Sequence, residues 1–401
     1  MKVLQINCVY GKGSTGKITR DIHRELQAYG IESVVCYGRG EKAWEPGVYK
    51  TCGELYAKWN NFLSRFTGLM YGGCFLSTNR LIRIIKRERP NVVHLQCING
   101  YFVNIYRLLS WLKHSGIRTV LTLHAEFMYT GNCAHAGDCN QWKNGCRKCS
   151  RLKEETNALF FDRTGESWNR MQRIYRGWNH LQIVACSEWI RGRALQCGAI
   201  KHRQIITLHN GIDTDSLFYP RSGASQKLHD ALCICSDLKI ILFVAPGFSE
   251  AKGFDLLLDL VDCCKELPFH FVLVGDRAAT VRKNVTVLGR INDQDALAEL
   301  YSAADALVIC SRFENYPTVC LEATSCGTPV AGFRVGGVAE TIPAGMGGTV
   351  AAGDINGMRK LLISLVSDRP QQQAVEAARR QHSKHRMVKA YLDVYNAITE
   401  K

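Results

Sequence analysis

The feature that most constrains this chain is an alternation. Short apolar runs rich in Val and Ile recur between longer amphipathic stretches along nearly all of its length. This is the mark of βαβ units, in which parallel strands are covered on both faces by the helices that return the chain. In the first half the strands fall at 3–7, 32–37, 92–96, 119–123 and 182–185. In the second half they fall at 205–208, 239–244, 270–274, 285–288, 306–309 and 329–332. The fold class is therefore α/β, with two doubly wound, Rossmann-like parallel sheets. A length of 401 residues suits two such domains.

The turn signal in Leu208-His209-Asn210-Gly211-Ile212-Asp213 marks the crossover between them. This places an N-terminal domain at 1–205 and a C-terminal domain at 206–385, with a cleft where they meet. Apolar residues at helical spacing predict a closing helix within 386–401 that packs back on the first domain. No repeat of fixed period is present.

Hydrophobic residues make up 46% and charged residues 22% of the chain, a composition that folds throughout. The first residues are too short and interrupted for a signal-peptide core, and no window of ~18 apolar residues offers a membrane span. The expectation is a cytoplasmic protein whose 18 cysteines are thiols or metal ligands. Cys263, Cys310 and Cys320 read as small buried hydrophobes. A net charge of +15 calls for an anionic partner without choosing among nucleic acid, an anionic membrane and phosphorylated small molecules. The densest basic stretch, 79–90, sets Arg80, Arg83 and Arg87 on one helical face and Leu81, Ile84 and Ile85 elsewhere. That face suits either plain solvation or docking on acidic lipid headgroups, worth ~1 kcal/mol per basic residue.

The most informative segment is Ser311-Arg312-Phe313-Glu314-Asn315-Tyr316-Pro317-Thr318-Val319-Cys320-Leu321-Glu322-Ala323, directly after the strand at 306–309. Pro317 suits the first position of a helix, where its missing N–H costs nothing. The N–H groups of Thr318 and Val319 would then face back to the loop at the carboxyl end of a parallel strand, where a diphosphate binds. Glu322 lies about 6 Å further along the axis and can accept from both ribose hydroxyls. Glu314 would reach the far side of the phosphates, where a sugar would sit. Spacing alone leaves open that the two glutamates are a surface acid and a helix-dipole partner.

Ser311, Glu314, Pro317, Glu322, Ala323, Gly327, Pro329, Val330, Gly336, Gly337 and Glu340 follow the pattern of the family-4 retaining glycosyltransferases of GT-B fold, which this chain resembles. Leu123-His124, Ser187, Asn210-Gly211-Ile212-Asp213, Lys252-Gly253 and Leu273-Val274-Gly275-Asp276 stand in the order that family shows. Within it, the pattern Thr130-Gly131, Cys133, Gly137 to Cys139, Trp142-Lys143, Gly145-Cys146 and Cys149 is similar to colanic-acid-type exopolysaccharide glycosyltransferases. The resemblance implies transfer of a sugar, with retention and without a catalytic metal, from a nucleotide-sugar donor (UDP or GDP) to a glycan acceptor. A lipid-linked oligosaccharide on the inner face of a bacterial membrane is the acceptor it suggests, with peripheral contact to anionic lipid and no nucleic-acid partner.

By the same resemblance Glu322 holds the donor ribose and Glu314 the transferred sugar, with Asn315, Tyr316, Pro317 and Thr318 at the donor between them. Lys252 is the cation for the leaving diphosphate. The arginine this family usually places five or six residues earlier is absent, since Pro246 and Gly247 stand there. Arg312 and Arg191 are the substitutes to consider. His124, at the end of the strand at 119–123, is implied to contact the donor sugar and organise the reacting centre. His94 is either acceptor-side or structural.

Gly11-Lys12-Gly13-Ser14-Thr15-Gly16-Lys17 meets most of the phosphate-loop pattern of NTPases, but Ile18 replaces the hydroxyl that holds magnesium. The loop then serves to let backbone N–H groups and Gly16 approach the ligands. Cys133, Cys139, Cys146 and Cys149 form a compact cluster, for which structural zinc and free or disulfide-bonded thiols are the two readings. The rivals to glycosyl transfer are a phosphate-loop NTPase, a basic polymer- or nucleic-acid-binding protein without turnover, and a sugar-phosphate synthase or phosphorylase of the same fold.

Overall fold

The computed structural model describes residues 1–276 and 282–400. They divide into two compact units, Met1–His209 with Val388–Lys401, and Asn210–Met387.

The first unit runs β1 (Lys2–Asn7), α1 (Gly13–Ala28), β2 (Glu32–Tyr37), β3 (Val48–Lys50), α2 (Glu54–Thr67), α3 (Phe75–Glu88), β4 (Val92–Leu95), α4 (Ile105–Ser115), β5 (Arg118–Leu123), α5 (Thr164–Tyr175), β6 (Leu181–Ala185), α6 (Glu188–Ala194) and β7 (Ile205–Thr207). Its strands are all parallel, in the order β3-β2-β1-β4-β5-β6-β7. Chain order therefore reverses between β1 and β4. β1 is buried from Val3 on, as a strand covered on both faces must be. Helix starts follow local chemistry: Asn104 caps α4 by accepting from the N–H of Arg107, and Ser187 caps α6 by accepting from Ile190.

The second unit runs α7 (Ala224–Leu232), β8 (Lys239–Val244), α8 (Phe254–Cys263), β9 (Phe269–Val274), β10 (Val285–Gly289), α9 (Gln294–Ala303), β11 (Ala306–Ile309), α10 (Thr318–Ser325), β12 (Val330–Phe333), β13 (Gly347–Val350), α11 (Ile355–Ser367) and α12 (Gln372–His382). Its parallel sheet is ordered β10-β9-β8-β11-β12-β13 and reverses between β8 and β11. Ile241, Phe243, Leu257, Leu260, Phe271 and Val308 form the centre of its core. The last helix, α13 (Lys384–Thr399), belongs to the first unit from Val388 on.

Three details differ from the sequence-based expectation. β7, assigned above to the second half, pairs with β6 through Ile183 and Ile205 and closes the first sheet. The division between units accordingly falls at 209/210. The edge strands β3 and β13 were not anticipated, because three residues and a Gly-Gly start carry almost no apolar pattern. Finally, Cys310 and Cys320 are buried as expected, but Cys263 is exposed at the end of α8, and its neighbour Cys264 takes the buried place.

The closing helix does pack on the first sheet, and it does so through polar atoms. His94 of β4 hydrogen-bonds Tyr395 Oη at 2.7 Å and Thr122 Oγ1 of β5 at 2.8 Å, and Thr122 meets Tyr391 Oη at 2.9 Å. All four side chains are buried. Burial, with the charge of His124 nearby, pushes the His94 imidazole down to about 3, so it stays neutral in the folded unit. An unfolded chain would bind a proton near pH 6.5. Above that pH both states are neutral and nothing is lost, whereas below it the unfolded chain gains protons that the native unit refuses. The melting temperature should therefore fall as pH drops from about 6.5 toward 4. In His94→Gln it should fall less steeply, as thermal melts across that range would read.

Candidate active site

In the second unit three loops meet where the sheet order reverses. The loop after β8 carries a short 3-10 turn, Glu250–Lys252, ending at Gly253. The loop after β11 carries Ser311 to Pro317, and the one after β12 carries Gly336 and Gly337. The first two are joined by the N–H of Arg312 donating to Ala251 O at 3.0 Å, and the second and third by Gly337 N donating to Glu314 O at 3.2 Å. Two glycines make this possible. A Cβ on Gly253 would lie 1.8 Å from Cys310 O, and one on Gly336 1.6 Å from Glu314 O, and both residues have positive φ.

This packing brings Lys252 and Glu314 together. Lys252 Nζ donates to Glu314 Oε1 at 2.6 Å, and Ser311 Oγ donates to the same oxygen at 2.8 Å. Glu314 keeps only 13% of its side-chain surface and Lys252 32%, so neither is a solvated surface charge. Pro317 stands one position earlier than expected, as the N-cap of α10, with no side chain capping that end. Cys320 N already donates to Pro317 O, which leaves the N–H groups of Thr318 and Val319 at the mouth of the helix. Asn315 and Tyr316, just before the cap, are buried.

Glu322 is likewise buried, one turn into α10, and its Oε2 accepts from Tyr301 Oη of α9 at 2.8 Å. Burial and the adjacent carboxylate hold the Tyr301 phenol well above its ordinary range, so it remains a donor. Tyr301 escaped the sequence reading because it lies 21 residues away in a helix whose apolar periodicity already accounted for it. Neither glutamate is therefore an exposed surface acid.

The two substitutes considered for the missing arginine are engaged elsewhere. Arg312 makes a two-pronged pair with Asp255 at 2.7 and 2.5 Å, which holds that carboxyl down to about 2, and Arg191, in the first unit, pairs with Glu188 and donates to Ile205 O. The group beside Gly247 is a carboxylate. Arg290 pairs with Asp276 at 2.5 Å, and Asp276 Oδ2 is 3.0 Å from where a Gly247 Cβ would sit.

His124 and Gly16 lie in the first unit. Nε2 of His124 hydrogen-bonds Gln96 Oε1 at 2.7 Å, and Gln96 Nε2 donates in turn to Gln5 Oε1 at 3.3 Å, so Gln96 just beyond β4, held by Gln5 of β1, orients the ring. Burial lowers the imidazole to about 4, leaving a neutral hydrogen-bonding group. α1 begins at Gly13, so Ser14 to Lys17 are helical and do not form an open cradle, and Ile18 is buried. Gly16 is a packing position, since a Cβ there would meet Val9 Cγ2 at 2.9 Å. The NTPase reading loses its loop as well as its metal ligand.

The cysteine segment folds around other groups. Buried Glu126 pairs with Arg193 at 2.5 Å, accepts from Tyr129 Oη at 2.9 Å and from the N–H of Ala136 at 2.6 Å. Trp142, also buried, donates to Cys139 O. Cys133 and Cys146 are buried and Cys139 and Cys149 partly so, all four as free thiols. Among the described residues no three His, Cys, Asp or Glu side chains converge as a metal's ligands would, so the tetrahedral zinc cluster read from spacing is not assembled. Glu126, Arg193 and Trp142 order the segment, and burial, with the other three thiols among the nearby groups, pushes the Cys133 thiol well up.

The comparisons with known proteins agree with this geometry. The family model described as Glycosyltransferase Family 4 matches residues 15–216, just over half of the chain, and that of Glycosyl transferases group 1 matches residues 225–382. The chain belongs to glycosyltransferase family 4. It is 25% identical, over 88% of each chain, to the putative colanic acid biosynthesis glycosyl transferase WcaC of Escherichia coli (strain K12). Among solved structures it shares its fold with the catalytic domain of starch synthase IV from Arabidopsis thaliana bound to ADP and acarbose (TM-score 0.70, 14% identity, covering 100% and 99% of the two chains). Anabaena Alr3699/HepE in complex with UDP and glucose is similar to a like degree (TM-score 0.67, 16% identity, 99% of each chain). The GT-B expectation of two Rossmann-like parallel-sheet domains thus holds.

Tyr301→Phe keeps the ring and removes the donor to a buried carboxylate. It should cost about 1–3 kcal/mol in denaturant unfolding of the transferase.

Proposed function

We propose that this transferase moves a sugar, with retention at the anomeric carbon, from a nucleotide-sugar donor held by the second unit to a glycan acceptor held by the first. The observation that carries the reading is the Lys252–Glu314 pair at the mouth of α10, with Glu322 buried one turn further in. A diphosphate at the Thr318 and Val319 N–H groups would draw Lys252 onto the departing charge. Glu314 would then be released to hydrogen-bond the sugar, and Glu322, held by Tyr301 on one oxygen, would accept from the ribose. His124 supplies a neutral hydrogen bond to the sugar, and Gly16, by packing on Val9, lets the backbone of the first loop approach the donor. UDP or GDP is the proposed nucleotide. Solved relatives of the same fold carry UDP, UDP-glucose or ADP, which supports a nucleotide-sugar site. The kinship to WcaC and to a protein of the Klebsiella pneumoniae cps region supports a surface polysaccharide, with a lipid-linked oligosaccharide as acceptor at the inner face of the membrane.

Calorimetry with UDP-, GDP- and ADP-sugars, with and without EDTA, tests the site. One donor should bind independently of metal. Glu322→Gln, which can still accept from Tyr301, should bind it about 10- to 100-fold more weakly, the ~1.5–3 kcal/mol of a hydrogen bond to a charged group. An unchanged Kd would remove Glu322 from the site. NMR of the product should show the donor's anomeric configuration, and an inverted product would refute retention.

A further inference from the structure

Helix α2 is amphipathic the wrong way round. Its buried residues are Ala57, Asn60 and Ser64, while Leu55, Trp59, Phe62, Leu63 and Phe66 are exposed. At about 100° per residue these five fall within an arc of roughly 100°, opposite the buried face. The exposed residues are ordered against one another: Trp59 stacks on Phe62 with centroids 5.7 Å apart, Phe62 meets Phe66 at 4.7 Å, and Phe66 meets Phe160 at 5.7 Å. Phe160 is itself 66% exposed, on a segment tied to α2 by the N–H of Leu159 donating to Arg65 O. Soluble surfaces seldom carry so continuous an apolar band without something to cover it.

The band has a charged continuation. Tyr56 Oη accepts from the N–H of Leu76, which is 70% exposed at the start of α3, and Arg107 lies over the ring of the neighbouring Phe75. From there a groove of about 630 Å³ between α3 and α4 is lined by Arg83, Lys86, Arg107 and His114, with Trp111. On α3, Arg80, Arg83 and Arg87 face outward and Leu81, Ile84 and Ile85 inward, as their spacing required. Between Leu55 and Ala125 the chain has ten Lys or Arg residues and one acid, Glu88, so this stretch carries most of the net charge of +15.

We propose that this surface docks on an anionic lipid bilayer, with the aromatic face of α2 and Phe160 lying in the headgroup–acyl boundary and the α3–α4 groove against lipid phosphates. An in-plane helix with Trp, Phe and Leu on one face and Lys58 and Arg65 at its border suits that boundary. The excess of cations argues against a second copy of the same surface, which would set like charges together. No helix among the described residues is long and apolar enough to cross a membrane, so the contact is peripheral. Docking needs neither donor nor acceptor, and it stands or falls separately from glycosyl transfer.

Vesicle co-sedimentation of the full chain tests it, with phosphatidylcholine vesicles with and without 30 mol% (about one lipid in three) phosphatidylglycerol. Trp59→Ser/Phe62→Ser removes the apolar face, and Arg83→Gln/Lys86→Gln removes charge. Both replace exposed side chains, so melting temperatures should be unchanged. The wild type should bind the anionic vesicles, at least about tenfold less at 0.5 M than at 0.1 M salt, and each variant should lose roughly tenfold in partitioning. Failure of the wild type to bind, or variants that bind as well as it does, would overturn the proposal. So would a concentration-dependent dimer in sedimentation that Trp59→Ser/Phe62→Ser abolishes in the absence of vesicle binding, which would assign the face to a second copy.

Discussion

A parallel strand buried on both faces has only its ends free for chemistry. Every side chain along its length is committed to the helices above and below, and every connection must cross the sheet to begin again. In each unit the strand order reverses once, between β1 and β4 and between β8 and β11. There the loops leaving neighbouring strands turn to opposite faces and leave a crevice at the carboxyl ends. The residues proposed to bind the donor collect at these points: Lys252 and Glu314 lie beyond β8 and β11, and Gln96, which orients His124, lies beyond β4.

Within that frame, charge is handled by pairing. Glu314 is matched to Lys252, Glu126 to Arg193 and Asp255 to Arg312, while His94 and His124 of the first unit are held neutral by burial. The pairs differ in exposure. Glu126 is sealed, so its partner is structural, and removing Arg193 would leave an uncompensated buried charge. Lys252 remains a third exposed and can exchange partners. That difference separates a scaffold pair from the pair proposed to act on the donor.

Much of this was legible in the sequence, and the reasons are local. Val and Ile runs announced eleven of the strands because burial on both faces leaves no polar alternation to confuse them. The segment from Ser311 to Glu322 announced the helix mouth now proposed to bind phosphate, because proline, spacing and a preceding strand all act within a dozen residues. What stayed hidden was contact at long range. Tyr301 reaches Glu322 across 21 residues, Arg193 reaches Glu126 across 67 and Tyr395 reaches His94 across 301, and none has a periodic or compositional mark. The cysteine spacing did bring four thiols near one another, but among the described residues no three of them converge as a metal's ligands would. The apolar face of α2 went unread, and periodicity alone would not have said which side faces the core.

The distribution of thiols has a practical consequence. Of eighteen free cysteines only Cys233, Cys235 and Cys263 are exposed, and all three lie in the second unit. Cys197, Cys186 and Cys36 in the first unit are sealed, and burial keeps Cys36 and Cys197 protonated, so they resist alkylation until that unit opens. A maleimide added to the native chain therefore marks Cys233, Cys235 and Cys263 first. The sealed thiols, Cys36 and Cys197 in the first unit and Cys310 and Cys320 in the second, are marked only as their own unit opens, so each unit carries a clock of its own without a single engineered residue.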